Sequence, residues 1–186
     1  MAILEKGGYL EIILGPMFSG KTSALIEKAR LYKLCDISTC IINHLSDNRY
    51  DTKKLSSHNR DKIECVFMKK LNILLTPNYL QYSVFFINEG QFFPDLYETV
   101  SVLIEKYNKT VYICGLDGDY QRKKFGRIID LIPLADKVEK KTALCMSCKN
   151  GKKASFTKRL SSETDQIIIG VKNYIPVCRL CYNKNT

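Results

Sequence analysis

The octapeptide Gly15-Pro16-Met17-Phe18-Ser19-Gly20-Lys21-Thr22 narrows the fold of this chain more than any other stretch. It fits the pattern G-x-x-x-x-G-K-[ST], and its flanks supply the context that pattern needs. Before it, Tyr9–Leu14 reads as a buried strand; after it, residues 23–31 are rich in helix formers. A strand feeding a glycine turn at a helix start aims backbone N–H groups into one hollow. The helix terminus adds partial positive charge there. In such a turn Lys21 reaches the outer phosphates of a nucleotide, and the Thr22 hydroxyl ligates Mg²⁺.

The rest of the chain alternates in kind. Strands are predicted at 38–43, 63–68, 83–87 and 110–114. A short helix is predicted at 71–75, stopped near Thr76-Pro77. A longer one runs to Tyr107 from Asp95, read as its N-cap, with Leu96, Val100, Leu103 and Ile104 on one face. The polar stretch from His44 to Lys62 reads as a functional or disordered loop carrying Asp47, Arg49, Tyr50, His58 and Arg60. Alternating strands and helices imply an α/β fold of the P-loop NTPase kind: a parallel sheet with helices on both faces. Ligands of such sheets bind beyond the carboxyl ends of the strands. Lys21, Glu89 and Leu116 each follow such an end.

The chain has 186 residues, 45% of them hydrophobic, enough for one α/β domain and a small appendage. The boundary is expected at 141/142, separating a nucleotide-binding domain, 1–141, from a metal-binding ribbon, 142–186. The apolar runs are too short to span a bilayer. Residues 1–6 lack a basic region followed by a long apolar stretch, so a cytoplasmic location is expected. The net charge of +10 fits either a nucleic-acid partner or an enzyme drawing in phosphorylated ligands.

Three further groups carry chemistry. P-loop proteins usually end a central strand in a metal-orienting aspartate. Asn88 occupies that place here, followed by Glu89, the only carboxylate at this strand end. Glu89 is therefore read as the base that takes a proton from an attacking hydroxyl. Arg49 and Arg60 are candidates to close over the transferring phosphoryl group, or are solvated loop residues. Cys145-Met146-Ser147-Cys148 and Cys178-Arg179-Leu180-Cys181 are two C-x₂-C knuckles. Together they complete a tetrahedral Zn²⁺ site, and four thiolates leave no position open for water, so the metal is structural. The stretches 154–159 and 166–170 read as paired strands of a ribbon, with 170–174 a loop that the metal braces. The other four cysteines, Cys35, Cys40, Cys65 and Cys114, read as reduced and packed.

On these residues the chain resembles the thymidine kinases of the cellular and poxviral type. The similarity runs from about Tyr9 to Tyr182. It is carried in order by the glycine turn, Glu89-Gly90-Gln91-Phe92-Phe93, Gly115-Leu116-Asp117-Gly118 with Gln121-Arg122-Lys123, Thr157-Lys158-Arg159-Leu160, and both cysteine pairs. The resemblance implies transfer of the ATP γ-phosphate to the 5′-hydroxyl of thymidine, with Glu89 as base. It implies a nucleotide set of residues 15–22 with Asp47, Arg49, Asn88 and Gln91. It implies a nucleoside set of Met17, Phe92, Leu116, Tyr120, Phe125 and Thr157. Ile167, Ile168, Ile169, Gly170 and Tyr174 match a lasso loop whose backbone bonds the thymine edge. A homotetramer and inhibition by dTTP are further implications. Three features depart from the family: Asn88 replaces an aspartate, the stretch 149–153 is longer, and Gly170-Val171 stands where two glycines are common. The competing reading is a nucleic-acid-dependent P-loop ATPase whose zinc ribbon grips the strand. A second is a nucleotide-binding regulator without turnover, suggested by Asn88.

Overall fold

The computed structural model describes residues 7–46, 54–56, 62–166 and 173–184. Twelve strands and four α-helices lie within them. β1 (Tyr9–Leu14) leads through the glycine turn into α1 (Lys21–Leu34) and on to β2 (Thr39–His44). β3 (Lys54–Ser56), β4 (Lys62–Glu64) and β5 (Val66–Met68) follow, then α2 (Pro77–Leu80), β6 (Val84–Ile87), α3 (Leu96–Glu105) and β7 (Thr110–Gly115). β8 (Lys137–Lys140) completes a six-stranded sheet in the order β5-β2-β6-β7-β1-β8, parallel at every pairing.

Alternation along the strands explains the layers. Successive side chains of a strand point to opposite faces. Leu10, Ile12, Phe85, Ile87, Val111 and Ile113 enter one apolar core, where α3 adds Leu96, Val100, Leu103 and Ile104. Ile13, Val84, Phe86, Tyr112 and Cys114 enter the other, under Leu25, Ile26 and Ala29 of α1. Both faces are covered, which is why β6 is apolar at every position.

Several local expectations change. The stretch 63–68 is two strands rather than one. β4 pairs antiparallel with β3, while β5 joins the edge of the main sheet beside β2. Leu55 and Ile63 of that outer hairpin pack on the α1 side of the sheet, so the polar stretch 44–62 is not wholly loop. Pro77 does not merely stop the preceding 3₁₀ turn (Asn72–Leu75); it opens α2, where a missing N–H costs nothing. Asp95 takes the expected N-cap position of α3, but its side chain makes no capping bond there. Its carboxylate accepts the N–H groups of Leu71 and Asn72 at 2.9–3.0 Å, closing the start of that 3₁₀ turn instead. Cys40 and Cys114 are buried and Cys65 is half-buried, but Cys35 is exposed just past the end of α1; none of the eight cysteines forms a disulfide.

Beyond β8 the chain leaves the sheet. β9 (Ala143–Leu144) pairs with β10 (Lys153–Ala154), and β11 (Phe156–Arg159) with β12 (Tyr174–Val177), both antiparallel. α4 (Arg179–Asn183) closes the unit. The described partner of 156–159 is thus 174–177, and Tyr174 stands in a strand, not in a loop; the expected strand at 166–170 lies, beyond Gln166, outside the described residues. The apolar pattern Tyr174-Ile175-Pro176-Val177 was masked by its proline, which strands tolerate at an edge. No helix among the described residues is long and apolar enough to cross a membrane.

Candidate active site and metal centre

Neighbouring strands β6, β7 and β1 end side by side, and their parallel register brings Asn88–Glu89, Leu116 and the glycine turn to one edge. The turn itself is dictated by close approach. Gly15 has φ 144°, and a Cβ there would lie 2.5 Å from the Lys141 carbonyl oxygen, so no larger residue fits. Gly20 (φ 77°) precedes α1 without any side-chain cap, leaving the first-turn N–H groups facing the turn. Pro16, Met17, Phe18 and Ser19 complete it. Lys21 is buried and its ammonium donates to the Pro16 carbonyl at 2.6 Å, with Ser19 Oγ at 3.5 Å.

Thr22 and Asn88 meet directly. The Thr22 hydroxyl donates to Asn88 Oδ1 at 3.1 Å, and the Cys114 thiol reaches the same oxygen at 3.0 Å. Two hard oxygens at the mouth of a phosphate turn suit Mg²⁺, although neither brings the negative charge an aspartate would.

Glu89 stands in the left-handed region at φ 54°, an uncommon conformation for a side-chain-bearing residue, and such strain clusters at functional sites. Its carboxylate is held by Gln91, whose Nε2 donates to Glu89 Oε2 at 2.6 Å. The Gln91 oxygen in turn accepts the backbone N–H of Leu116 at 3.0 Å. Gly115 makes room for this bridge, since a Cβ there would sit 2.3 Å from Gln91 Oε1. Gln91, expected with the nucleotide set, thus lies between Glu89 and Leu116 of the nucleoside set. Phe92 and Phe125 form an edge-to-face pair with centroids 5.5 Å apart.

The ribbon touches the turn. The Met17 N–H donates to Thr157 Oγ1 at 3.0 Å, joining residues separated by 140 positions. Behind Thr157, Arg159 is buried. Its guanidinium lies 3.7 Å from the centre of the Tyr120 ring and donates to Tyr174 Oη at 2.6 Å and to the carbonyls of Glu163 and Gln166. The residue motif 157–160 was legible, but nothing local marked Arg159 as the link between Tyr120 and Tyr174. A cavity of about 140 Å³ lies between Pro16, Asp117–Asp119, Lys140 and Phe156–Thr157; Glu89 is not among its walls. Asp47, Arg49, Ile167, Ile168, Ile169 and Gly170 lie outside the described residues, as do His58 and Arg60.

Cys145, Cys148, Cys178 and Cys181 converge, with their sulfurs within 4.8 Å of one another. A tetrahedral Zn²⁺ with Zn–S bonds of about 2.3 Å needs sulfurs roughly 3.8 Å apart, so the set fits the ion with little movement. Burial pushes the Cys145 thiol up, but N–H groups of Cys148, Cys178 and Ser147 outweigh it and bring it down to about 6, toward the thiolate a metal binds. Burial and the neighbouring thiols push Cys148 up to about 11. The cluster is compatible with structural zinc.

Comparison with known proteins agrees with this arrangement. A family model described as "Thymidine kinase" matches residues 8–182. A thymidine kinase of variola virus is 44% identical over 177 residues, covering 95% of this chain and 97% of the relative. Thymidine kinases of vaccinia virus (strain Ankara) and monkeypox virus are 43% and 42% identical over the same shares.

Proposed function

Because the chain belongs to the thymidine kinase family and is an enzyme of that type, we propose a division of labour among its residues for phosphorylating thymidine from ATP. The glycine turn, residues 15–22, cradles the triphosphate through backbone N–H groups, and Lys21 swings from Pro16 to the outer phosphates. Glu89 takes the proton of the thymidine 5′-hydroxyl. The freed oxygen bonds to the γ-phosphorus, the bond to the β-phosphate oxygen breaks, and ADP leaves with that electron pair. Mg²⁺, held near Thr22 and Asn88, neutralises phosphate charge when it accompanies ATP.

The observation that carries this reading is the bridge from Glu89 through Gln91 to the Leu116 N–H. It ties the carboxylate that follows β6 to the next strand end, beside the glycine turn. A base must be held within hydrogen-bond reach of its proton, and a side chain fixed at both ends meets that need. Phe92 and Phe125 offer apolar walls for a flat base, and Met17, Tyr120, Thr157 and Tyr174 extend that surface. Asp47 and Arg49 serve the phosphates, and the backbone of 167–170 reads the thymine edge. Residues 142–186 act as a separate zinc-dependent unit on the 1–141 nucleotide-binding domain. Deoxyuridine is a second substrate, dTTP an inhibitor and a homotetramer the working form, in the cytoplasm.

Family membership disfavours the strand-gripping ATPase. The deciding experiment offers labelled ATP and a panel of nucleosides. Label on thymidine and deoxyuridine is the expected result. Hydrolysis of ATP that needs DNA, with no labelled nucleoside and a steep salt dependence, would overturn it.

A further inference from the structure

We propose that Asn43 is a positioning residue for the Thr22 hydroxyl, acting through Asn88; the inference rests on the reading of Thr22 as the metal-side ligand. The hydrogen bonds at the ends of β2 and β6 have a forced direction. The backbone N–H of His44 meets the Asn43 side chain at 3.0 Å. A backbone N–H can only donate, so the atom it meets is the Asn43 carbonyl oxygen. Asn88 approaches that same oxygen at 2.9 Å and must therefore offer its NH₂ group. Its carbonyl is then turned the other way, toward the Thr22 hydroxyl at 3.1 Å and the Cys114 thiol at 3.0 Å.

The consequence lies at Thr22. Its proton is committed to Asn88, so its lone pairs remain for a cation. Were the Asn88 amide reversed, oxygen would face oxygen at Asn43. An NH₂ group would then face the hydroxyl and would claim a lone pair. Asn43 and Asn88 are 2% and 1% exposed, so water does not scramble the order. A buried polar group without a proper partner costs about 1–3 kcal/mol, enough to hold one orientation. The His44 main-chain N–H thus agrees with one polarity running through Asn43 and Asn88 to Thr22 and Cys114. This accounts for an amide at position 88: a carboxylate there would place an oxygen against the Asn43 oxygen that His44 already holds.

The test is binding of a fluorescent ATP analogue, measured in EDTA and in Mg²⁺, without thymidine. Wild type should bind more tightly with Mg²⁺. Asn43→Leu keeps the volume and removes the acceptor. It should lower the Mg²⁺-dependent tightening about tenfold, the usual scale for partners of metal ligands, while affinity in EDTA stays within about twofold. Asn43→Asp still accepts from both His44 and Asn88 and should keep the tightening. Equal loss in both variants, or no loss in Asn43→Leu, overturns the proposal. If Asn43→Leu does not fold, Asn43→Asp decides alone: loss of the tightening there overturns it. A wild type that binds the analogue as expected but phosphorylates no nucleoside would instead sink the kinase assignment and leave this inference standing.

Discussion

The sheet and the ribbon solve the same problem with different means. Among the described residues, nineteen buried on one face of the sheet and eleven on the other are nearly all aliphatic or aromatic. The described ribbon core has six, three cysteines, two alanines and Val177, with Phe156, Ile175 and Tyr182 partly buried against it. Burial of a large apolar side chain contributes about 1.5–3 kcal/mol, so among the described residues the sheet draws far more on the hydrophobic effect than the ribbon does. A unit this small gains from a staple, and a metal on the four converging cysteines would supply one. The lesson concerns function too. The glycine turn proposed to hold ATP stands on the sheet, while Thr157, Arg159 and Tyr174 stand on the ribbon that carries the four-cysteine cluster.

The contrast can be broken from either side. The largest effect is expected from Phe85→Ala, in a fully buried position of β6. It should cost about 3–5 kcal/mol of global stability by denaturant titration, with the cysteine cluster still binding zinc. Glu89→Gln should leave both regions folded and ATP bound, yet lower kcat at least about a hundredfold; unchanged turnover removes Glu89 as the base. Cys178→Ser should abolish zinc binding, read by metal analysis, and weaken thymidine about tenfold through Thr157 and its neighbours, with ATP affinity retained. Loss of both affinities together would mean the regions are not separable. The smallest effect is expected at Asp130, in the 3₁₀ segment Ile128–Leu134, where hydrogen bonds from Lys124 and then Arg127 hold its carboxyl below the usual range. A lowered folded-state value means its contribution is present above the ordinary carboxylate range and is lost as the pH falls through the folded value. The Tm gap between wild type and Asp130→Asn should therefore close on acidification, and salt should narrow it at neutral pH.

Much of the site was readable from short spacings. The glycine turn, Glu89 after an apolar strand, and the paired cysteines each lie within a few residues, so local geometry follows from local sequence. What was missed involved distance along the chain. The 63–68 run looked like one strand because its composition is uniform; only the hairpin with β3 and the edge beside β2 split it at Cys65. Asp95 has the identity and place of a cap, but its carboxylate bonds the N–H groups of Leu71 and Asn72 and makes no side-chain cap bond to its own helix. Strand 156–159 pairs with 174–177, next to the second knuckle, a strand that the loop reading of 170–174 had not allowed for.

By itself the sequence determined the main alternation of strands and helices, the glycine turn, the acidic residue beyond β6 and the four cysteines that converge. These depend on periodicity, on backbone freedom at Gly15 and Gly20, and on ligand chemistry, all of which act over a few residues. The tertiary structure alone decided that Gln91 spans Glu89 and Leu116, that Thr157 caps the turn at Met17, and that the Asn43–Asn88 pair points a carbonyl at Thr22. Hydrogen-bond direction is set by which donors and acceptors meet after the strands have aligned, and residues 140 positions apart meet only in the folded chain.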